Sequence, residues 1–381
     1  MVRRITTNGM MMSYKSNLMR SYNNLAGVIE KVTTHRQFNS YAESPSKASQ
    51  AFQLRRSRWN VENQLANNKQ VTHKFQQAWD CMDNTYQKLG TELVKYSSLR
   101  AENDAEAGGR KALGEIIKGA ADSVMQTMNA KYGENFVFSG ADGETVPFSW
   151  GPDGEVLYRG MKVDVKTPTE AELAAGNWQG KPDYADFLKL YNTVENEHTY
   201  VDLGLGMKED KDGNLIDSSA FDTALSGIAT IGYGTTSVTV EGPDGKDVVE
   251  TDVPNNLIAL IREYGEILSQ CDAQTGAYPE DPAKWPNGAE TRCDALEKQL
   301  EDVLDELHAN WMAHDTRATF LKTNEDRLES MDDSLNEQIT NVEDIDPAEA
   351  ITALMWAQYS YNAALRIGTS ILSQSLIDYM N

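Results

Sequence analysis

Residues 351–381 read ITALMWAQYSYNAALRIGTSILSQSLIDYMN and contain only two charged side chains, Arg366 and Asp378. The polar residues scattered through this stretch make it too hydrophilic to span a bilayer, so such a helix needs protein around it. Large residues recur at heptad a and d spacing, namely Ile351, Leu354, Tyr361, Leu365, Leu372 and Tyr379. Further apolar residues fall on other faces, namely Met355, Trp356, Ala363, Ile367 and Ile371. The pattern therefore predicts a helix with several neighbours, because one partner cannot cover all of these faces.

The N-terminal end of the chain has a similar pattern. Met11, Leu18, Leu25 and Val32 repeat every seven residues. Residues 1–140 contain 19 basic and 12 acidic side chains, a balance of +7, whereas residues 291–381 contain 6 and 18, a balance of −12. Opposite charge favours association of two helical segments, so we expect the two ends of the chain to pack side by side.

Composition excludes several classes of protein. The 381 residues can form two or three domains, and the net charge of −23 argues against nucleic-acid binding, which needs a basic surface. Polar residues such as Thr6, Asn8 and Lys15 interrupt the apolar run that a cleavable signal peptide requires. We therefore expect neither membrane insertion nor a cleaved signal peptide.

No constellation of catalytic or metal-binding residues stands out. The three cysteines, Cys81, Cys271 and Cys293, lie far apart, which indicates ordinary thiols, although a bridge between the last two stays open. The five histidines lack helical ligand spacing. Residues 208–215 resemble the start of a calcium loop, but Lys208 and Ser219 occupy the first and twelfth ligand positions, so a turn is favoured. We expect no enzyme activity, no cofactor and no metal.

Glycine and proline divide the chain into helical flanks and an irregular middle. No glycine lies between Gly27 and Gly90, or between Gly288 and Gly368. The periodicity predicts helices at about 10–37, 46–103, 109–131, 254–271, 289–342 and 347–379. The fold is expected to be mainly α with a β-rich insertion, in which both flanks form a long antiparallel bundle and the termini form coiled-coil helices.

The middle of the chain is acidic and contains short β-like runs. Residues 141–290 contain 10 basic and 28 acidic side chains, a balance of −18. Val238–Val240 and Val248–Val249 flank Gly242–Gly245, which predicts a hairpin. The predicted division is a terminal assembly helix at 1–45, bundle segments at 46–140 and 254–342, an outer domain at 141–253 and a C-terminal assembly helix at 343–381.

Short motifs at both ends resemble the bacterial flagellin superfamily. At the start these are Arg4-Ile5-Thr6-Thr7-Asn8 with Met10–Met12, and then Ser44-Pro45 with Ala48, Ala51, Leu54, Arg55 and Asn67. At the end they are residues 342–350, Gln358, residues 361–368 and residues 371–376. The segment Asn135–Gly140, followed by Thr145-Val146-Pro147-Phe148, Gly154, Val156, Tyr158 and Gly160, is similar to the hook-filament junction members of that superfamily.

The resemblance implies a structural subunit that joins the flagellar hook to the filament. It further implies self-assembly into a tubular layer, contacts with a neighbouring hook-associated protein and with filament flagellin, and export through the flagellar type III apparatus. A cytoplasmic chaperone would hold the C-terminal helix, and the protein would be extracellular. The alternatives are filament flagellin, a secreted enzyme carried in the central insertion, or a cytosolic coiled-coil adaptor.

The residues expected to form the assembly interface are the apolar residues of the two terminal helices. In the N-terminal helix they are Ile5, Met11, Leu18, Leu25 and Val32. In the C-terminal helix they are Ile351, Leu354, Tyr361, Leu365, Ile367, Leu372 and Leu376.

The first prediction concerns the isolated monomer. One apolar face buries too few side chains to offset the entropy lost when residues 351–379 become ordered. We therefore expect amide-exchange protection across Ile351–Tyr379 to be far weaker than in the long bundle helices. Exchange measured on a verified monomer checks this, and strong protection throughout Ile351–Tyr379 would contradict it.

Overall fold

The protein is represented by a computed structural model that describes residues 7–102, 109–176, 178–211, 215–216 and 219–380. The chain divides into two compact units. The first consists of Met1–Asn63 with Arg327–Asn381, and the second consists of Gln64–Asp326. Both boundaries fall inside long helices, so each unit contains one part of the same two helices.

Helices dominate the described residues. They are α1 (Thr7–Thr34), α2 (Pro45–Asp83), α3 (Thr91–Glu102), α4 (Gly109–Met128), α5 (Glu170–Ala175), α6 (Ala185–Asn196), α7 (Gly227–Ile231), α8 (Leu257–Ser269), α9 (Ala289–Glu343) and α10 (Pro347–Met380). A π-helical segment, Asn84–Gly90, joins α2 to α3, and a 3-10 turn, Pro182–Tyr184, precedes α6. Within the described residues, no helix combines the length and apolar character that a membrane span requires.

Short antiparallel strands occupy the region between α4 and α8. They are β1 (Lys131–Tyr132), β2 (Asn135–Phe136), β3 (Ser139–Gly140), β4 (Phe148–Trp150), β5 (Val156–Tyr158), β6 (Met161–Lys162), β7 (Tyr200–Val201), β8 (Phe221–Asp222), β9 (Leu225–Ser226), β10 (Thr235–Glu241) and β11 (Asp247–Pro254). The sheets are β1-β2, β3-β9, β4-β5-β6, β7-β8 and β10-β11. The expected hairpin is confirmed, because Val240 pairs with Val248 in β10-β11.

The first unit contains α1, the start of α2, the end of α9 and α10. α1 and α10 pack against each other. The backbone N–H of Ile345 donates to His35 O at 3.1 Å, and the N–H of Gln37 donates to Glu343 O at 2.7 Å. His35 has a φ of 55°, a left-handed conformation that ends α1 before these bonds form.

In the second unit, the continuation of α2 runs antiparallel to α9. The side chain of Asn68 donates to Leu321 O at 2.9 Å, and the Nε2 of His314 lies 2.8 Å from Phe75 O. Both Asn68 and His314 are buried, so these bonds satisfy polar groups that are removed from water. The long bundle helices therefore keep their register through a few buried polar contacts as well as through apolar packing.

Helices α4 and α8 form the closest helix contact of the second unit. A Cβ on Gly114 would lie 2.3 Å from the backbone nitrogen of Ser269, and a Cβ on Gly265 would lie 2.9 Å from that of Lys118. Glycine is therefore required where the antiparallel backbones meet. Fully buried residues on either side of this contact extend the core, namely Ile117, Ala121, Val124, Ile258, Ile261 and Leu268.

The expected fold class, mainly α with a β-containing insertion, is confirmed. The expected helix boundaries lie within three residues of the observed ones. The helix expected at 46–103 is interrupted by the π-helical segment, because periodic spacing does not reveal one extra residue in a turn. The helix expected from 254 begins at Leu257, since the Asn256 side chain accepts from Ile258 N and Ala259 N and caps it. The helices α5, α6 and α7 in the middle were not predicted.

The five-part division expected from the sequence remains a prediction. The three cysteines are buried free thiols. Among residues 208–219, the backbone of Lys208 and the Ser219 hydroxyl are joined by hydrogen bonds, and Glu209 pairs with Leu215 in an isolated bridge. Residues 212–214 and 217–218 lie outside the described residues.

The second prediction concerns the contact between α4 and α8. Gly114→Ala places a methyl group against the backbone of α8, which cannot rotate away, so we expect a loss of about 1–3 kcal/mol in the free energy of unfolding. The matched control is Gly119→Ala on the same helix, where nothing lies within 4 Å of the added Cβ. That change should raise the free energy of unfolding by about 0.5–1 kcal/mol, because alanine has the higher helix propensity. Urea denaturation measures both free energies. Equal effects of the two changes would refute the close contact between Gly114 and the backbone of α8.

Candidate assembly surface at the chain termini

One side of α1 faces α10 along a regular seam. The half-buried residues of α1 include a series spaced alternately by four and three, namely Tyr14, Leu18, Ser21, Leu25, Val28 and Val32. This spacing keeps side chains on one face of a helix over many turns. The seam therefore follows the repeat of Leu18, Leu25 and Val32 that the sequence shows.

The matching seam of α10 is made largely of small residues. Its buried or half-buried residues include Ala350, Leu354, Ala357, Tyr361, Ala364 and Gly368, again spaced by four and three. The rings of Tyr22 and Tyr361 lie 6.1 Å apart. Because Tyr14 meets Gly368 and His35 meets Ile345, the two helices run antiparallel. Alanine and glycine at the seam allow the backbones to approach closely.

Gly368 receives the ring of Tyr14. A methyl group on Gly368 would lie 1.9 Å from the Tyr14 Oη and 2.2 Å from its Cζ. The glycine is buried in the middle of a helix, where it costs about 1 kcal/mol relative to alanine. Its position is explained by the space that it leaves for the tyrosine.

The other faces of both helices expose apolar side chains. On α10, Met355, Trp356 and Tyr359 are 66%, 67% and 69% exposed, and Ile351, Leu365 and Ile367 are also exposed. On α1 the exposed residues include Met10, Met11, Met12, Met19, Tyr22 and Ile29. Met355, Trp356 and Tyr359 line one site, and an exposed group of large apolar residues marks a site of association. The pairing of α1 with α10 therefore covers only part of the apolar surface of each helix.

Ion pairs join α2 to the end of α9 in the same unit. The Arg58 guanidinium donates to the Asp332 carboxylate at 2.9 and 3.3 Å and to Asn336 Oδ1 at 2.9 Å, and Arg55 pairs with Glu343. The hydrogen bond to Asp332 raises the pKa of Arg58. Such partly exposed pairs add little stability, but they fix the rotation of the helices about their axes.

The structure separates the residues expected at the interface into two groups. Half-buried in the seam are Leu18, Leu25, Val32, Leu354 and Tyr361, whereas Met11, Ile351, Leu365 and Ile367 are exposed. Ile5 lies outside the described residues, as do the side chains of Leu372 and Leu376. The seam itself uses Ala350, Ala357 and Ala364 rather than Ile351 and Leu365, because the short distance between the backbones leaves no room for larger side chains. The assignment of the twelve residues to an assembly interface stays a prediction.

Met355 and Trp356, which the sequence pattern places outside the heptad positions, form an exposed group with Tyr359 and Thr352. Trp356 and Tyr359 contact each other edge to face, with ring centroids 6.3 Å apart. Their spacing of three residues was visible in the sequence. It was not assigned to the surface because the same spacing is typical of core residues.

The described residues also bear on metal binding and nucleophilic catalysis. Among them, no group of three or more His, Cys, Asp or Glu side chains is arranged to hold a metal ion. Burial raises the pKa of Cys81, Cys271 and Cys293. A raised pKa keeps these thiols protonated and makes them poor nucleophiles.

Comparisons with known proteins give similar structures. No family model and no curated protein matches the chain. Flagellar hook-associated protein 3 of Legionella pneumophila is 11% identical over 76% of this chain and 98% of its own, with a TM-score of 0.49. FlgL of Xanthomonas campestris is 10% identical over 73% and 98%, with a TM-score of 0.43. The flagellar junction protein FlgL of Legionella pneumophila is 13% identical over 72% and 99%, with a TM-score of 0.42. The chain is thus similar to solved structures of flagellar hook-associated and junction proteins.

The third prediction tests the seam. Gly368→Ala should displace the Tyr14 ring and weaken the pairing of α1 with α10 by about 1 kcal/mol net of the gain in helix propensity. Amide exchange in α1 and α10 should then be about fivefold faster. In a Tyr14→Ala background the same change should instead stabilise α10, because the clash is gone.

The matched control for this seam is Gly27→Ala in α1, where nothing lies within 4 Å of the added Cβ. This change should raise the free energy of local opening by up to about 1 kcal/mol, so amide exchange in α1 should become slower. Faster exchange in both variants would show that Gly368 has no special contact.

Proposed function

We propose that the chain is a non-enzymatic structural subunit of the bacterial flagellum that joins the hook to the filament. The observation that carries the proposal is the state of the two terminal helices. They pair along one seam and leave large apolar side chains exposed on their remaining faces. The terminal motifs similar to the flagellin superfamily agree with this role.

Self-assembly is the mechanism that this surface supports best. Met12 and Met19 on α1, and Met355, Trp356 and Tyr359 on α10, lie away from the seam. Further copies of the same helix pair offer apolar surfaces of matching length. Identical subunits joined by head-to-tail contacts form rings or helical tubes, depending on whether the rotation closes. In this proposal the terminal helices form the inner layer, and the insertion at 141–253 faces outward.

The assignment to the junction rests on the segment that follows α4. Phe136, Val137 and Phe138 are buried there, and the Tyr158 hydroxyl donates to Phe138 O at 3.0 Å. These are residues of the motif that resembles junction members of the superfamily. The proposed neighbours are therefore a hook-associated protein on one side and filament flagellin on the other. Filament flagellin itself is the alternative identity.

Before assembly, the exposed residues of α10 need protection from water and from each other. A cytoplasmic chaperone that covers the C-terminal helix would supply it, and we propose export through the flagellar type III apparatus with an extracellular destination. The buried free thiols agree with this route, since no disulfide has to be broken or formed.

The fourth prediction is the location of the protein. Antibody against the purified chain should give immunogold label only at the base of the filament, and a strain that lacks the gene should lose both label and filament attachment. A strain that lacks the filament subunit serves as the control, because the label at the hook tip should remain there. Label along the whole filament would instead identify a filament flagellin, and label confined to the cytoplasm would refute the flagellar role.

A further inference from the structure

The first unit has a second exposed surface, on α2. Phe52, Arg56 and Trp59 are spaced by four and three residues, so they share one face of the helix. Phe52 is 70% exposed and Trp59 is 64% exposed. Arg56 is also exposed and forms no ion pair within the part of the chain that the structure describes. We call these three residues the aromatic-arginine face.

The aromatic-arginine face points away from the helix that α2 packs against. The opposite side of α2 carries Ala51, Arg58 and Val61, of which the two apolar residues are buried. Arg58 donates to Asp332 of α9 from that side. Packing within the chain therefore leaves Phe52 and Trp59 uncovered, and two large aromatic side chains within two helical turns are costly to keep in water.

A groove lies beside this face and extends it. It is lined by residues that include Arg36, Tyr41, Ala48, Phe52 and Arg55. Tyr41 is 64% exposed. Tyr41, Arg36 and Arg55 line the groove, and tyrosine and arginine are among the residue types that dominate binding energy at protein interfaces.

Charge identifies the kind of partner. Residues 45–63 of α2 contain four basic side chains and one acidic side chain, a balance of +3. Residues 327–343 of α9 contain one basic and five acidic side chains, a balance of −4. Asp333 and Glu337 are exposed, and neither forms an ion pair among the described contacts. They lie on the side of α9 that faces away from α2, since Leu328 and Asp332 mark the packed side.

Arg55 and Arg58 pair with Glu343 and Asp332 inside the chain, which leaves Arg56 on the outer face of α2 and Asp333 and Glu337 on the outer face of α9. These outer faces are therefore complementary in charge, and every copy of the chain carries both. We propose that the aromatic-arginine face of one copy docks against the Asp333 and Glu337 face of the next copy. This contact is distinct from the contacts of α1 and α10, and it rests on the proposed polymeric function. Two different surfaces in one contact make it head-to-tail, so it continues from copy to copy instead of closing as a dimer.

The contact has defined physical properties. The two aromatic side chains supply the buried apolar area, and Arg56 supplies a charge-assisted hydrogen bond to a carboxylate. Arg56, Asp333 and Glu337 are exposed, so association should weaken as added salt screens their attraction. The aromatic part should persist at high salt, which separates the two contributions.

The fifth prediction tests the contact with the full-length protein. The wild type should associate reversibly in sedimentation velocity at low salt. Phe52→Ala with Trp59→Ala, and separately Arg56→Glu, should each raise the dissociation constant about tenfold or more. Adding Asp333→Arg and Glu337→Arg to Arg56→Glu should restore association by exchanging the charges. The matched control is Lys95→Glu, an equal charge reversal at an exposed position of the second unit, which should have no effect.

Cross-linking tests the head-to-tail geometry. The native cysteines are buried, so cysteines introduced as Asn63→Cys and Asn341→Cys, which are exposed and leave the proposed contact residues unchanged, are the accessible ones. A short bismaleimide should convert the double variant into a ladder of trimers and larger species, whereas each single variant should stay uncross-linked. A single variant that forms dimers would indicate a symmetric contact and overturn the proposal.

Other outcomes are equally decisive. A wild type that stays monomeric at every concentration, or variants of the aromatic-arginine face that associate like wild type, overturns the docking proposal. These results do not depend on location in the cell. Immunogold label away from the filament base would refute the proposed function and leave the docking result standing.

Discussion

Close approach of helix backbones is the constraint on which both units depend. In the first unit, Ala350, Ala357, Ala364 and Gly368 bring α10 against α1, and Gly368 makes room for the Tyr14 ring. In the second unit, Gly114 and Gly265 bring α4 against α8. Small residues give up the apolar area that a leucine would bury. They gain dispersion contacts along the backbone and a register that tolerates no enlargement.

A small-residue seam has a further effect on the terminal helices. Because alanine and glycine make much of the contact with α1, six large apolar side chains between Ile351 and Ile367 stay exposed. Met355, Trp356 and Tyr359 lie outside the seam, and so does Ile367. A row of leucines at this seam would bury large apolar side chains within the chain itself. Apart from Leu354 and Tyr361, the larger apolar residues in the described part of α10 therefore lie outside the seam.

Much of the fold could be predicted from the sequence, for identifiable reasons. The stretch without glycine or proline after Gly288 predicted α9, and the apolar periodicity after Pro347 predicted α10, both to within one residue. Gly242–Gly245 between valine runs predicted the hairpin of β10 and β11. The phase of the α10 seam could not be predicted, because the large residues at Ile351 and Leu365 fit a heptad equally well and alanine carries no periodic signal. The aromatic-arginine face was missed for a related reason. Phe52 and Trp59 have core-like spacing, and only the position of α9 shows that they face water.

The π-helical segment Asn84–Gly90 changes which side of the helix is buried between the end of α2 and the start of α3. A π turn holds one more residue than an α turn, so α3 begins rotated relative to the end of α2. Cys81 and Met82 are buried before the segment, and Leu93 is buried after it. Arg100 then reaches Asp294 and Glu297, with a 2.9 Å bond to the latter. The extra residue of the π-helical segment therefore determines which side chains of α3 point into the core, and adding or removing one residue in this segment would rotate them away.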